Sequence, residues 1–360
     1  MKKIMLMEIK NSTKLNFFWL PLFSVFLLLS LYKPEILKTY FNLSGNIEFL
    51  KSQDLTPLNG FIILAFTKFL YLLAPILSVS LFESFIINKK NKSHISSLSR
   101  LSQSKGYPFA DIWYYSFELL KDEIPFIITF LTLGISSFNS TISQWFNQIY
   151  LNLVPANLTA YSSAFFMICG LLLTDLAAYW VHRIQHRIAF LWDLHEFHHS
   201  ATEMTILNKK RSTPLEGVLT YPIFLPFTVL TALLINISIS QGHLLPLIIY
   251  VTYTSLEIFC NVLGHSSVAV ILPKPISLFF MSPCLHWIHH SQNVEHYDKN
   301  FGQRFTFWDK MFGTYLGEEH VKEILGFGVL NSEYNKHNPF YTYSIIPVLK
   351  LIKRAKVLLN

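Results

Sequence analysis

Residues 161–199 read YSSAFFMICGLLLTDLAAYWVHRIQHRIAFLWDLHEFHH, an apolar run that leads directly into five histidines. About 20 apolar residues are enough to cross a bilayer as an α-helix. Histidines three or four positions apart share one face of a helix, so positions 182 and 186, and then 195, 198 and 199, direct several imidazoles toward one point. This stretch predicts a membrane helix with a metal-binding group just beyond its end.

The composition of the whole chain agrees with a membrane protein. Of the 360 residues, 51% are hydrophobic and 14% are charged, against roughly 25% charged in soluble domains. These figures exclude a disordered chain, a collagen and a secreted disulfide scaffold. Cys169, Cys260 and Cys284 are odd in number and far apart, so we expect neither a disulfide framework nor a thiolate metal site.

Six apolar stretches are candidates for membrane spans. They lie near residues 17–32, 61–87, 124–138, 161–181, 217–237 and 244–263. We interpret the first as a retained anchor, because no small-residue cleavage site follows it. The net charge of +7 comes from basic residues gathered between the apolar stretches, which indicates membrane topology rather than nucleic-acid binding.

The loop charges predict the orientation of these spans. Basic residues precede the first span and fill the loop after the second, so both loops should be cytoplasmic. Both termini, residues 182–216 and residues 264–360 then face the cytoplasm, and 139–160 and 238–243 face the opposite side. Residues 344–360 mix apolar and basic positions, as an interfacial amphipathic helix would.

The histidines form three boxes, at residues 182–186, 195–199 and 286–290. Chance would place about 0.6 histidines in these fifteen positions, and they hold eight. A bound metal accounts for so many imidazoles, which would otherwise repel one another or stay unpaired. The predicted ligands are His182, His186, His195, His198, His199, His286, His289 and His290, with His265 and His296 as additions.

Ten imidazoles exceed the capacity of one metal ion, so two ions are expected. We interpret His94, His243, His320 and His337 as surface or core residues. Imidazole suits zinc, copper, iron and nickel. A site beside the bilayer is placed to act on an acyl or isoprenoid chain, whose unactivated C–H bonds require oxygen activation. This favours iron as a redox metal.

The ordered boxes resemble the fatty acid hydroxylase / sterol desaturase superfamily of membrane di-iron oxygenases. The resemblance runs from about Asp175 to Tyr315 and includes the histidine of Gly264-His265-Ser266 and the sequence DKNFG at 298–302 followed by WDKMFGT at 308–314. It implies a histidine-held centre of two iron ions, O2-dependent hydroxylation or desaturation of a lipid, and an external electron donor. The tail is similar to the alkylglycerol monooxygenase and bacterial sterol desaturase branches.

Four further residues are candidates for the surroundings of the metals. Asp175 lies on the helical face of His182 and His186 and could hold a ligand imidazole by its second nitrogen. Glu196 and Arg211 are candidates for a supporting role. Asn300, like Asp309, matches the tail of the superfamily.

Two other classes of function remain alternatives. A metal transporter would place its histidines at midspan, whereas these follow the ends of the spans. A zinc hydrolase would need an HExxH-like helix; His195, Glu196 and His199 satisfy that pattern locally, but the surplus of ligands opposes a single zinc. No nucleotide-binding, iron–sulfur or c-type haem motif occurs, so the reducing partner must be a separate molecule.

We therefore predict an all-α, multi-span membrane protein whose cytosolic helical cap carries the histidine boxes. Residues 1–155 form a membrane region without a catalytic motif. Residues 156–320 form the catalytic domain, and residues 321–360 form a tail.

Overall fold

The computed structural model describes residues 6–8, 76–77, 79–81, 83–84, 96–102, 109–117 and 157–359. The predicted spans near 17–32 and 124–138 lie outside these residues, as does most of the span near 61–87. Most of the described residues therefore belong to the predicted catalytic domain and the tail.

The described part is mostly helical. Its α-helices with defined bounds are α1 (Ser97–Arg100), α2 (Ala160–Arg187), α3 (Ala189–His199), α4 (Pro214–Ile239), α5 (Leu244–Gly264), α6 (Lys274–Ser277), α7 (Pro283–His289), α8 (Phe307–Met311), α9 (Pro339–Ser344) and α10 (Ile346–Leu359). Residues 110–117 are also helical. Short 3₁₀ helices cover Asn208–Lys210, Val294–His296, Glu318–Glu323 and Glu333–Asn335. Two strands, β1 (Leu6–Glu8) and β2 (Ala269–Ile271), pair in parallel with Leu6 opposite Ala269.

Helices α2 and α4 are long and apolar enough to cross a membrane. They correspond to the spans predicted at 161–181 and 217–237. The predicted span at 244–263 forms α5, whose described apolar part is the shorter stretch Leu244–Thr254. The 28 residues of α2 extend over about 42 Å, which exceeds a hydrocarbon core of about 30 Å. The last turns of α2, which carry the first histidine box, can thus lie beyond the bilayer.

Helix α2 packs along α4 and α5. Gly170 allows a close approach to α4, since a Cβ atom there would lie 3.2 Å from Cγ1 of Ile235. The Nε2 atom of His243, in the turn between α4 and α5, lies 2.8 Å from the carbonyl oxygen of Leu158, just before α2 begins. The end of α2, the start of α4 and the end of α5 therefore meet at the opposite end of the three helices.

That end is covered by α3, α7 and the loop between α7 and α8. Ile188 is extended (φ −99°, ψ 117°), which separates α2 from α3 and lets the chain turn. Pro283 occupies the first turn of α7, where a missing N–H leaves no hydrogen bond unmade. Leu285, Trp287 and Ile288 of α7 are almost fully buried. This cap carries the second and third histidine boxes and covers the last turns of α2, where the first box lies.

The C-terminal tail packs on α3. The guanidinium of Arg354 donates two hydrogen bonds, of 2.7 and 2.8 Å, to the carboxylate of Asp193. The hydroxyl of Tyr334 donates to the backbone carbonyl of Asp193 at 2.7 Å. The amphipathic helix predicted at the C-terminus corresponds to α10, whose basic side chains partly face α3 rather than solvent alone.

Candidate metal centre

Nine histidines come together in two neighbouring groups. The five-histidine group consists of His182, His186, His195, His199 and His289, and the four-histidine group of His198, His265, His286 and His290. Within each group, one nitrogen of every imidazole lies within 4.8 Å of the others. The two groups touch where the rings of His199 and His290 stack with centroids 4.4 Å apart. The structure thus brings all eight boxed histidines and His265 to one place.

Helix geometry decides which histidine enters which group. Residues four apart lie on one face, so the pairs 182 and 186, 195 and 199, and 286 and 290 each stay within one group. His198 on α3 belongs to the four-histidine group, although His195 and His199 of the same helix belong to the other. His289 on α7 belongs to the five-histidine group, although His286 of the same helix does not. His265 reaches the four-histidine group from the C-terminal cap of α5. Boxes two and three are therefore divided between the groups.

Three imidazoles of the five-histidine group are oriented through Nδ1. His182 and His289 donate from Nδ1 to the carbonyl oxygens of Phe301 and Lys299, at 2.9 and 2.8 Å. His195 donates from Nδ1 to Glu216 Oε1 at 2.9 Å. A carbonyl only accepts hydrogen bonds, so at His182 and His289 the proton must lie on Nδ1 and the lone pair on Nε2.

The free nitrogens of this group fit a metal ion. Buried Nε2 atoms without a hydrogen-bond partner among the described residues belong to His186, His195, His199 and His289. A buried acceptor without a partner costs free energy, and coordination of a metal ion would remove that cost. Outer partners that hold Nδ1 while Nε2 binds are usual for metal-bound histidines.

The four-histidine group has close contacts between its own imidazoles. The Nε2 atom of His286 lies 3.1 Å from Nε2 of His265 and 3.0 Å from Nε2 of His290. Ligand nitrogens bound about 2.1 Å from one metal ion lie roughly 3.0–3.4 Å apart, so these distances suit ligands of a single ion.

Six imidazoles of the two groups are held in the neutral form that binds metals. Burial, reinforced by neighbouring histidines, lowers the pKa of His198, His199, His286 and His290 well below the usual value. Burial lowers the pKa of His265 to about 4 and that of His289 to about 3. The lone pairs are therefore free of protons at neutral pH.

The residues 298–302 form a loop that presents carbonyls to the imidazoles. Asn300 has a positive φ of 56° and ties the loop to the chain around Leu316, donating to the carbonyl of that residue at 3.0 Å and accepting from its N–H at 2.9 Å. Asp309 accepts from the N–H groups of Phe301 and Gly302 at 2.7 and 2.9 Å. Any Cβ at Gly302 would lie 2.6 Å from the carbonyl oxygen of Phe305. The motif shared with the superfamily thus acts on the site through its backbone.

The role expected for Asp175 is corrected by its contacts. Its carboxylate accepts 3.0 Å hydrogen bonds from Arg304 and from the indole of Trp308, and within the described part of the chain it has no hydrogen bond to an imidazole. Asp175 lies about two turns before His182 on α2. Arg304, which is 129 residues later in the sequence, lies beside the carboxylate of Asp175. Asp175 joins α2 to the loop after α7.

Glu196 and Arg211 form their hydrogen bonds outside the histidine groups, although Arg211 also lines a cavity that adjoins both groups. Glu196 accepts from Ser332 at 2.6 Å and pairs with Lys350 of α10, so it anchors the tail. Arg211 donates to Asp111 at 2.5 Å and to Ser200 at 2.9 Å, which connects residues 109–117 to the end of α3. Both side chains hold the cap together rather than contacting a ligand imidazole.

His296 is the predicted ligand that the structure does not bring to either group. It lies instead with His320 and Glu323. The 3₁₀ helix Val294–His296 turns the chain after α7, so the side chain leaves the direction of His289 and His290.

Glu216 is a site residue that the sequence analysis missed. Its carboxylate accepts from His195 and from Gln185, the latter at 2.8 Å. The sequence Thr213-Pro214-Leu215-Glu216 has the spacing of a helix start, and Thr213 does cap α4. That pattern predicts that the glutamate side chain bonds to the start of its own helix. The sequence therefore gives no indication that Glu216 contacts His195 of α3. The roles of the backbone carbonyls of Lys299 and Phe301 could not be predicted either, because every residue type has a carbonyl.

A cavity of about 330 Å³ adjoins both groups. Histidines from each group form part of its wall, and apolar side chains from α2 and α4 form another part. The lining includes His182, His195, His198, His265, His286, Lys209, Val181 and Phe224. A small molecule in this cavity would lie beside imidazoles of both groups.

Comparison with known proteins gives a consistent family. The fatty acid hydroxylase family matches residues 167–314. Alkylglycerol monooxygenase from Homo sapiens is 28% identical over 179 residues, which are 50% of this chain and 36% of that protein. Ornithine lipid hydroxylase OlsE from Rhizobium tropici is 26% identical over 153 residues, 42% of each chain. Delta(7)-sterol 5(6)-desaturase ERG3A from Gibberella zeae is 29% identical over 152 residues, 40% of this chain and 36% of that protein.

No solved structure gives a significant match. The aligned part covers well under half of the curated relatives in length. The matched region contains all nine grouped histidines, and by their names these relatives are oxidoreductases. The resemblance of the histidine boxes to the fatty acid hydroxylase / sterol desaturase superfamily is thus confirmed over residues 167–314.

Proposed function

We propose that this protein is a membrane-bound non-haem di-iron oxygenase that hydroxylates a C–H bond of a lipid with O2. The observation that carries the proposal is the pair of adjoining histidine groups. Buried Nε2 atoms of the five-histidine group lack hydrogen-bond partners among the described residues, and three Nε2 atoms of the four-histidine group converge to 3.0 and 3.1 Å. The relatives that act on an ornithine lipid and on a sterol support a lipid substrate.

The two groups account for two metal ions. The five-histidine group would hold one ion and the four-histidine group the other, since a single ion does not use nine imidazoles. When bound, the two iron ions would supply the O2-dependent oxidation of the substrate. Glu216 and the carbonyls of Lys299 and Phe301 would keep three imidazoles in the required orientation and tautomer.

The cavity supplies a place for the reacting part of the substrate. Its volume lies in the usual range for small-molecule sites. Val181 and Phe224 offer apolar contacts for a methylene chain, and Lys209 offers a positive charge for a polar head. A lipid lying along α4, whose apolar side chains such as Val218 and Leu225 are exposed, could enter from the membrane. The chain would thus orient one carbon of the lipid against both groups.

The proposal includes a multi-pass protein with the histidine cap and both termini in the cytoplasm. The cap lies at one end of α2, α4 and α5, and the turn between α4 and α5 lies at the other. A separate cytoplasmic reductant would supply the electrons. Labelling of cysteines introduced at the exposed positions Met311 and Leu330 tests this orientation, and reaction from outside intact cells would contradict it.

Desaturation of a lipid is the second candidate, because one relative is a sterol desaturase. It requires the same ligands and the same cavity and differs only in the fate of the substrate. An alcohol product supports the first proposal, whereas an alkene supports the second.

Comparative lipidomics under labelled oxygen tests the function. Cells that express the protein, cells that lack it, and cells with His289→Ala are grown under ¹⁸O₂, and their lipids are compared. We expect a lipid that carries one labelled oxygen only in cells with the intact protein. A product in the His289→Ala cells, or identical lipids in all three, would contradict the proposal.

A further inference from the structure

His296 is buried away from both histidine groups. Its side chain is about 1% exposed, and neither Nδ1 nor Nε2 has a hydrogen-bond partner among the described residues. An imidazole always carries at least one N–H donor, so this arrangement leaves polar atoms unsatisfied inside the protein.

Two potential metal ligands face His296 from the 3₁₀ helix Glu318–Glu323. Oε2 of Glu323 lies 3.6 Å from Nε2 of His296 and 2.9 Å from Nδ1 of His320. One ligand atom from each of the three residues lies within 4.8 Å of the other two. The three side chains therefore converge on a point outside the nine-histidine centre.

We propose that His296, His320 and Glu323 form a third metal site, which binds a divalent zinc ion. Two imidazoles and one carboxylate, with water as a fourth ligand, make a set that zinc commonly uses. The side chains of His320 and Glu323 are 34% and 57% exposed, so water and the ion can reach the site. His296 closes the inner side of the site.

A simple ion pair explains the arrangement less well. The 3.6 Å separation from Glu323 leaves Nε2 of His296 without a hydrogen bond, and a buried imidazolium without one is costly. Zinc at Nε2 would satisfy that atom and would also neutralise the carboxylate. The pair of His337 and Glu333, at 3.7 Å with both side chains about half exposed, shows the ordinary surface arrangement without a buried partner.

The site would fasten two segments that flank the loop 298–302. Asn293 already joins them, because its amide donates to the carbonyl of Glu323 at 2.8 Å and accepts from the N–H of Leu325 at 3.0 Å. His296 lies two residues before this loop, whose carbonyls orient His182 and His289. Zinc would thus stabilise the fold around the loop without contacting the substrate.

Metal analysis of matched variants tests the third site. The purified full chain is prepared as wild type, His320→Ala, Glu323→Gln and the control His337→Ala, each is equilibrated with zinc, and iron and zinc are measured per chain. We expect wild type and His337→Ala to hold one zinc ion more than His320→Ala and Glu323→Gln, with equal iron in all four. Because the substituted side chains are partly exposed, the variants should fold.

Two further results sharpen this test. Zinc should raise the thermal unfolding temperature of wild type and His337→Ala but not of the other two variants. Cobalt in place of zinc should give the absorption of a four-coordinate ion only where the site is intact. Equal zinc content in all four proteins would overturn the proposal.

Discussion

The imidazoles of the five-histidine group are fixed from outside the group, whereas in the four-histidine group the closest contacts join the imidazoles to one another. Glu216 and two loop carbonyls hold Nδ1 atoms of the first group at 2.8 to 2.9 Å. In the second group, the Nε2 atoms of His265, His286 and His290 approach to 3.0 and 3.1 Å. Among the described residues, His265 is the member of this group with a backbone contact at Nδ1, of 3.2 Å to the carbonyl oxygen of Asn261.

This difference has a physical consequence. Two neutral imidazoles can share one N–H···N hydrogen bond at about 3 Å, but Nε2 of His286 faces two other Nε2 atoms and has only one hydrogen or one lone pair for both. We therefore expect the four-histidine group to depend on its ion for its arrangement. The five-histidine group is oriented by the fold before any ion binds, as preorganised metal sites are. We expect the two groups to respond differently to the loss of a ligand and to the loss of an outer partner.

The largest effect on iron binding should follow the loss of a ligand. His286 and His289 lie on α7, one in each group, and form a matched pair. Either substitution by alanine should reduce product formation by about 100-fold or more, because both ions are needed. The iron content should fall to about one ion per chain in His286→Ala, because only three imidazoles remain in its group. The iron content should fall by a smaller amount in His289→Ala, because four imidazoles remain.

Iron content and product formation of the two variants check this prediction, with His337→Ala as the surface control. Both variants should still insert into membranes, because insertion depends on the apolar helices. A larger iron loss in His289→Ala than in His286→Ala would contradict the expectation that the four-histidine group tolerates the loss of a ligand less well.

The next effect should follow the loss of an outer partner. Glu216→Ala frees Nδ1 of His195 and should lower iron affinity or activity by about 10- to 100-fold. Glu216→Gln keeps an oxygen acceptor and should lose less. Iron titration of the purified proteins measures both, and equal losses in the two variants would show that the charge of Glu216 matters more than its hydrogen bond.

A smaller effect on iron should follow disruption of the loop 298–302. Asp309→Ala leaves the N–H groups of Phe301 and Gly302 unpaired, which should lower the free energy of unfolding by about 2–5 kcal/mol. The carbonyls that orient His182 and His289 would shift with the loop, so iron binding should weaken in the five-histidine group alone. Thermal unfolding with iron analysis checks this, and weaker binding in the four-histidine group would contradict it.

The smallest effect should come from Glu196, although it lies between two ligands in sequence. Glu196→Gln weakens the contact with Lys350 and should cost about 1 kcal/mol of stability without changing iron content. Thermal unfolding and metal analysis give both quantities. Loss of iron from this variant would contradict the prediction and would indicate that Glu196 supports the metal centre.

Helical periodicity in the sequence was sufficient to predict which histidines of the helices lie close together. Spacings of three and four residues predicted the eight boxed histidines, because helix geometry alone places those side chains together. The same rule did not predict Asp175 correctly, since its partner Arg304 lies 129 residues away. Helical spacing states which face a residue shares but not what packs against that face.

The parts of the site outside helices could not be predicted in this way. Asp298 and Asn300 have positive φ angles, so the backbone of the loop follows no regular period. The carbonyls that it presents to His182 and His289 belong to every residue type, and the 3₁₀ turn that directs His296 away from the boxes has no distinctive sequence. These features depend on tertiary packing rather than on local propensity.

Metal analysis of the purified full chain, active toward its lipid, tests the central claim most directly. We predict about two iron ions per chain, and removal of iron by a chelator should abolish product formation until iron is restored. An active protein that holds a single zinc ion and no iron would contradict the account.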